Sequence, residues 1–253
     1  MTYQEILEVA LRQSATDCSC AAEDFLRDTN VIVESKAADG CSRYMTVPHI
    51  CALFSYGSNV VAACRRDLIP DITAWIGSVP KHYRCFETPA IYDLNRILEK
   101  ADAQVSWMHT CFLADPEDLR RADLSCPYET RILHPDDFTD LYVPEWGNAL
   151  CRERKELDML GVGAYDGDRL VGLAGCSADC PEMWQIGIDV LPEYRRQGIA
   201  SVLTNKLALA VLEHGKIPFY AAAWSNTRSF RNGIKSGFRP AWVAITASKK
   251  EPR

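Results

Sequence analysis

The chain has 253 residues, 47% of them hydrophobic and 25% charged, with a formal net charge of −6. This is the balance of a folded protein with a sizeable core, and it lacks the basic footprint that general nucleic-acid binding needs. No apolar run approaches the ~18–20 residues of a membrane span. The eleven cysteines include no Cys-x-x-Cys pair, and Met1–Glu5 starts no basic-then-apolar leader. Cytoplasmic residence is therefore expected, with cysteines serving as small hydrophobes and no metal.

Residues 4 to 27 read as helical, with Ile6, Leu7, Ala10 and Leu11 on one face and a break near Asp17. Residues 50–64 read as a hairpin turning at Gly57-Ser58-Asn59. Helices are expected over 68–76 and 91–100, with a polar stretch between them, and a buried strand over 105–113. The charged, proline-containing stretch from Asp115 to Pro127 suggests a boundary, giving an α/β domain at 1–128 and a second domain at 129–253.

The second domain should open with a short strand at 130–133 and a helical stretch from about Asp136 to Leu157. Asp166-Gly167-Asp168 between two apolar runs predicts a hairpin over 162–176. Trp184–Val190 reads as a strand closed by Pro192, which has no N–H for a sheet ladder. From Ile199 the apolar positions Val202, Leu203, Leu207, Ala210 and Val211 recur at helical spacing until Gly215.

Between that strand and helix lie Arg195, Arg196, Gln197 and Gly198. The first N–H groups of a helix have no partner within it and carry its positive dipole end, so a phosphate that can approach a glycine backbone is a natural occupant. Two arginines add charge. A second buried strand is expected over 217–224, then a helix capped by Asn226 and stopped by Gly237.

Arg-Arg-Gln-Gly-Ile-Ala has the form Arg/Gln-x-x-Gly-x-Gly/Ala, and Asn226-Thr227-Arg228-Ser229 with Gly237-Phe238 follows it. On these motifs the chain resembles the GNAT superfamily of acyl-CoA-dependent N-acyltransferases over roughly residues 132 to 248. The resemblance implies an α/β fold of the α+β kind: a C-terminal GNAT-type mixed sheet flanked by helices, preceded by a smaller α/β domain. The hairpins at 50–64 and 162–176 are alike in size, so the N-terminal half is either a degenerate second GNAT-like half or an unrelated unit.

The implied function is transfer of an acetyl group from acetyl-CoA, as co-substrate, to a primary amine of a small molecule, amino acid or peptide by direct attack. The alternative is a non-catalytic acyl-CoA-binding sensor or structural module. The resemblance places the cofactor along Ile188, Asp189 and Val190, at Arg195, Arg196, Gln197, Gly198, Ile199 and Ala200, and near Asn226 and Ser229, where capping of the helix by Asn226 is an equal reading. The family's usual tyrosine position, seven residues after Asn226, is Gly233 here. For the base, Trp184 and Ile186 cannot take a proton, which leaves Glu182 as a candidate acting through water. Partners are expected to be the amine acceptor, with no nucleic acid or membrane, and a homodimer is an open expectation.

Overall fold

The computed structural model describes residues 1–250. The chain divides into two compact units, one of Glu8–Cys111 with the chain from Ala241, the other of Met1–Leu7 with Phe112–Pro240. No helix among the described residues is long and apolar enough to cross a membrane.

In the first of these units, helix α1 (Tyr3–Cys18), whose first turns belong to the other unit, stops where Ser19 turns left-handed at φ 62°. A short 3-10 turn over Ala22–Leu26 follows and buries Phe25. The expected hairpin forms as β2 (Cys51–Ser55) and β3 (Val61–Cys64), with Cys51 opposite Cys64. A strand the sequence did not announce, β1 (Val31–Glu34), runs parallel to β3. Its four residues are all half-buried, too short to show an alternation.

Helices α2 (Ile69–Ser78) and α3 (Thr88–Leu98) cover this unit, α3 burying Ala90, Leu94 and Leu98 at intervals of four. Strands β4 (Ala103–Ala114) and β10 (Phe238–Lys249) each contribute residues to both units, and β10 pairs antiparallel with β2. Burial holds His109 neutral, its imidazole down at about 4.

The other unit opens with α4 (Pro116–Arg121), a short helix in the stretch expected as a linker. The Asp115 carboxylate caps it by accepting the N–H groups of Glu117 and Asp118. Its strands β5 (Glu129–Leu133), β6 (Asp158–Asp166), β7 (Arg169–Ser177), β8 (Met183–Val190) and β9 (Ile217–Ala223) lie side by side in that order. All neighbours are antiparallel except β8 and β9. Helices α5 (Ile199–Glu213) and α6 (Thr227–Lys235) complete the mixed α/β architecture.

The two faces of these strands are covered differently. Helix α5 packs on the face carrying Ala174, Cys176, Trp184 and Ile186, burying Leu203, Leu207 and Val211 against them. The opposite face, carrying Leu173, is covered by Phe138, Trp146, Ala149 and Leu150. The helix expected over 136–157 is absent. Three short 3-10 turns stand there, at Pro135–Phe138, Pro144–Trp146 and Arg152–Leu157. Pro135 and Pro144 remove helix donors, and Arg154 sits at φ −141°, outside helical backbone. The segment instead lies flat on the strands, where facing glycines leave room: a Cβ at Gly175 would meet the Ala149 carbonyl oxygen at 2.1 Å, and one at Gly187 the Asn148 oxygen at 1.7 Å.

Candidate functional site

Strand β8 pairs with β9 along its first half and with β7 from Gln185 onward, so that only Gln185 and Ile186 are bound on both sides. Its ladder with β9 runs from Met183↔Ile217 to Ile186↔Tyr220 and ends. Its ladder with β7 continues to Val190↔Gly172. The edge of Gly187–Val190 that would face β9 is therefore outside the ladder, and its backbone N–H and C=O groups are available to an added chain of amides. One group there is already used, since Arg195 Nε donates to the Val190 carbonyl oxygen at 3.0 Å.

At the end of this edge the chain makes a 3-10 turn over Pro192–Tyr194 and enters α5 through two left-handed residues, Arg196 at φ 65° and Gly198 at φ 83°. Such backbone lines up successive N–H groups into an anion-binding concavity, here continuous with the positive end of a fifteen-residue helix. Arg195, Arg196 and Gln197 are exposed, Ala200 is half-buried and Ile199 is buried.

Buttresses fix the loop. Tyr128 donates its hydroxyl to Gln197 Oε1 at 2.8 Å and packs edge-on against Tyr194, whose own hydroxyl donates to Asp166 at 2.9 Å. Gly172 lets the first turn of α5 approach β7, since a Cβ there would meet Ile199 Cγ2 at 2.6 Å. Gly198 itself lies against the chain: a Cβ would come within 2.3 Å of the Ser125 carbonyl oxygen. Its glycine is thus demanded by the fold as well as by any approaching ligand.

Helix α6 packs against α5 and β9. The Asn226 side chain accepts the Ser229 N–H at 3.1 Å, which is the helix-capping role. The Ser229 hydroxyl lies 2.5 Å from that of Tyr220, the residue at the last rung of the β8–β9 ladder. Tyr220 is 3% exposed, and burial raises its hydroxyl above the ordinary tyrosine range, with the Asp189 carboxylate adding to the effect. Its ring fills the space beside Gly233, whose Cβ would sit 3.3 Å from it. Asn232 ties the two helices together, accepting from Ser201 Oγ at 3.1 Å and donating to Thr204 Oγ1 at 3.0 Å.

Ile188, Val190 and Arg195–Ala200 thus run continuously from the end of β8 into the first turn of α5, and Asn226 and Ser229 stand at the start of α6. Asp189 belongs to that run through its backbone alone. Its side chain points to the opposite face and accepts the N–H groups of Asn148 and Ala149 at 2.8 and 3.0 Å, and the Asn148 amide at 2.6 Å. Glu182 stands apart. It precedes β8 at the closed end, exposed, four residues before Ile186, where the ladder with β9 ends, and so about 13 Å from that point along an extended strand. Trp184 and Ile186, on its expected face, lie in the core under α5. Tyr220 and Asn232 were not anticipated: a tyrosine within Ile217-Pro218-Phe219-Tyr220 reads as one more apolar strand residue. Among the described residues no three His, Cys, Asp or Glu side chains are grouped to hold a metal ion.

Residues 145–241 match the family model described as GNAT acetyltransferase. No curated protein matches the chain. Among solved structures it is similar to a GCN5-related N-acetyltransferase-like protein from Streptococcus suis, with 19% identity, 63% of this chain and 68% of that one covered, and a TM-score of 0.44. A GCN5-related N-acetyltransferase from Kribbella flavida has 14% identity, coverage of 63% and 64%, and a TM-score of 0.49. A tandem GNAT protein from the clavulanic acid biosynthesis pathway has 16% identity, coverage of 62% and 58%, and a TM-score of 0.43. The match to the GNAT acetyltransferase family model thus covers the C-terminal stretch that includes the strand–loop–helix of residues 183–213.

Proposed function

We propose that the protein is an N-acetyltransferase, which takes an acetyl group from acetyl-CoA and passes it to a primary amine of a small molecule, amino acid or peptide by direct attack. The observation that carries this reading is the end of the β8–β9 ladder at Ile186↔Tyr220 beside the arginine loop and N-terminus of α5. A pantetheine arm is a chain of amides with phosphates at one end, and this opening offers a strand edge leading to an anion site. The co-substrate supplies an activated thioester carbonyl.

The chain's own part is placement and charge. Arg195, Arg196 and the α5 N–H groups hold the phosphates, and the Gly187–Val190 edge aligns the arm. A backbone N–H on that edge donates to the acyl oxygen as negative charge builds on it. Holding two reactants together can be worth effective molarities of ~10⁵ M and above, so no covalent enzyme intermediate is needed.

The test is thermal unfolding with acetyl-CoA and with CoA, since a ligand at 100 times its Kd adds ~2.7 kcal/mol. The expected result is an upward shift that Arg196→Glu abolishes. Arg196 is the informative position because it is exposed, whereas any side chain at Gly198 collides with Ser125 before it meets a ligand. An absent shift at millimolar ligand overturns the reading. A shift without amine-dependent thiol release identifies a non-catalytic acyl-CoA sensor.

A further inference from the structure

Cys51 opens β2 and Cys64 closes β3, well separated in the chain and directly opposite in the sheet. Two backbone hydrogen bonds show what kind of rung they form. On the next pair out, the Arg65 N–H donates to the Ile50 carbonyl oxygen at 3.0 Å, while the Cys64 carbonyl oxygen turns to β1 and accepts the Ser35 N–H at 2.9 Å. Bonded and non-bonded rungs alternate along an antiparallel ladder, so Cys51 and Cys64 occupy a non-bonded rung, the kind that brings side chains closest, with Cα atoms about 4.5 Å apart. A disulfide needs Cα atoms roughly 4.4–6.8 Å apart, so this rung is spaced for one without movement of the backbone. Both side chains are buried, and both thiols are free.

We propose that Cys51 and Cys64 are an oxidation site, a thiol pair that hydrogen peroxide converts into a cross-strand disulfide stapling β2 to β3. One sulfur attacks the peroxide, breaks its O–O bond and becomes a sulfenic acid, its own proton ending on the displaced oxygen as water. The other sulfur then attacks the first, forming the S–S bond and releasing a second water. Two thiols and one peroxide thus give one disulfide and two waters, and the two electrons that the sulfurs lose are those the peroxide gains. Cys64 is the better first nucleophile: burial and the Asp67 carboxylate push its thiol up to about 11, and burial beside Cys64 raises that of Cys51 further. Both shifts disfavour the thiolate while the strands are closed. The pair stands on the terminal rung of the β2–β3 ladder, where strands open most readily, so local opening sets the pace of the reaction. The product closes the hairpin into a covalent loop, which removes freedom from the unfolded chain.

The experiment treats the whole protein with hydrogen peroxide, with and without sub-denaturing urea, then alkylates the remaining thiols and maps linked peptides by mass spectrometry. Two of the eleven cysteines should escape alkylation, and the linkage should join the Cys51 and Cys64 peptides. Urea should speed the reaction, because it favours the opened end of the hairpin. The unfolding temperature should rise by roughly 5 °C or more, and dithiothreitol should reverse the rise. Cys51→Ala should abolish both the linkage and the rise. Cys64→Ser serves if that variant does not fold, and the mapping on wild type stands without either. Eleven alkylated cysteines after treatment in both conditions, sulfinic acid at either position without a linkage, or a linkage among Cys18, Cys20 and Cys41 in its place overturns the proposal. The expected linkage without a rise in unfolding temperature overturns the stapling.

Discussion

The two halves of β8 have similar composition and opposite fates. Met183–Ile186 pairs with β9, and at Gln185 and Ile186 with β7 as well, and it buries Trp184 and Ile186 beneath α5. Gly187–Val190 keeps β7 on one edge and loses β9 on the other, and all four residues are only half-buried. A strand becomes a site where its neighbour departs, and nothing in its own residues marks the place. The closed half should therefore carry stability and the open half binding.

Substitutions can break that division, and the largest effect should come from the closed half. Ile186→Ala should cost about 2–5 kcal/mol in denaturant unfolding, as for other fully buried truncations. Gly187→Ala, at the junction, should cost about 1–3 kcal/mol, because its Cβ and the Asn148 carbonyl cannot share the same space. Asp189→Ala in the open half should cost a similar or smaller amount, about 1–3 kcal/mol, by leaving the Asn148 and Ala149 N–H groups without their acceptor. Arg196→Glu should move stability by no more than about 0.5 kcal/mol and yet remove the CoA-induced shift, which sharpens the contrast.

The smallest effect is a pH dependence at the closed end, where Asp158 pairs with Ser177 and Ser177 with Gln185. Burial raises the Asp158 carboxyl from 3.8 to about 6, partly offset by the Cys151 N–H and the Tyr142 hydroxyl. The folded state then holds a proton that the unfolded state has released between those values. This group's contribution should make stability rise as pH falls from about 6 toward 4, then level off. Asp158→Asn should flatten that part of the unfolding-temperature profile.

What could be read from residues alone divides along the same line. The loop and α5 were legible because Gly198 and the spacing of Val202, Leu203 and Leu207 are local signals. The hairpin β6–β7 was legible from Asp166-Gly167. The covering segment at 135–157 was misread as a helix, since Phe138, Trp146, Ala149 and Leu150 are apolar for the sake of a flat surface they meet only in three dimensions.

Gly175 and Gly187 are direct partners across β7 and β8, and the Asn148–Ala149 backbone rests on both. That pair acts as a check on strand alignment. A slip of one residue would bring the side chain of Ala174 or Cys176 beneath that backbone and turn every apolar residue of the slipped strand to the wrong face. The loop can close only over the correct pairing, so the same two missing side chains that make room for it also reject a misaligned sheet during folding.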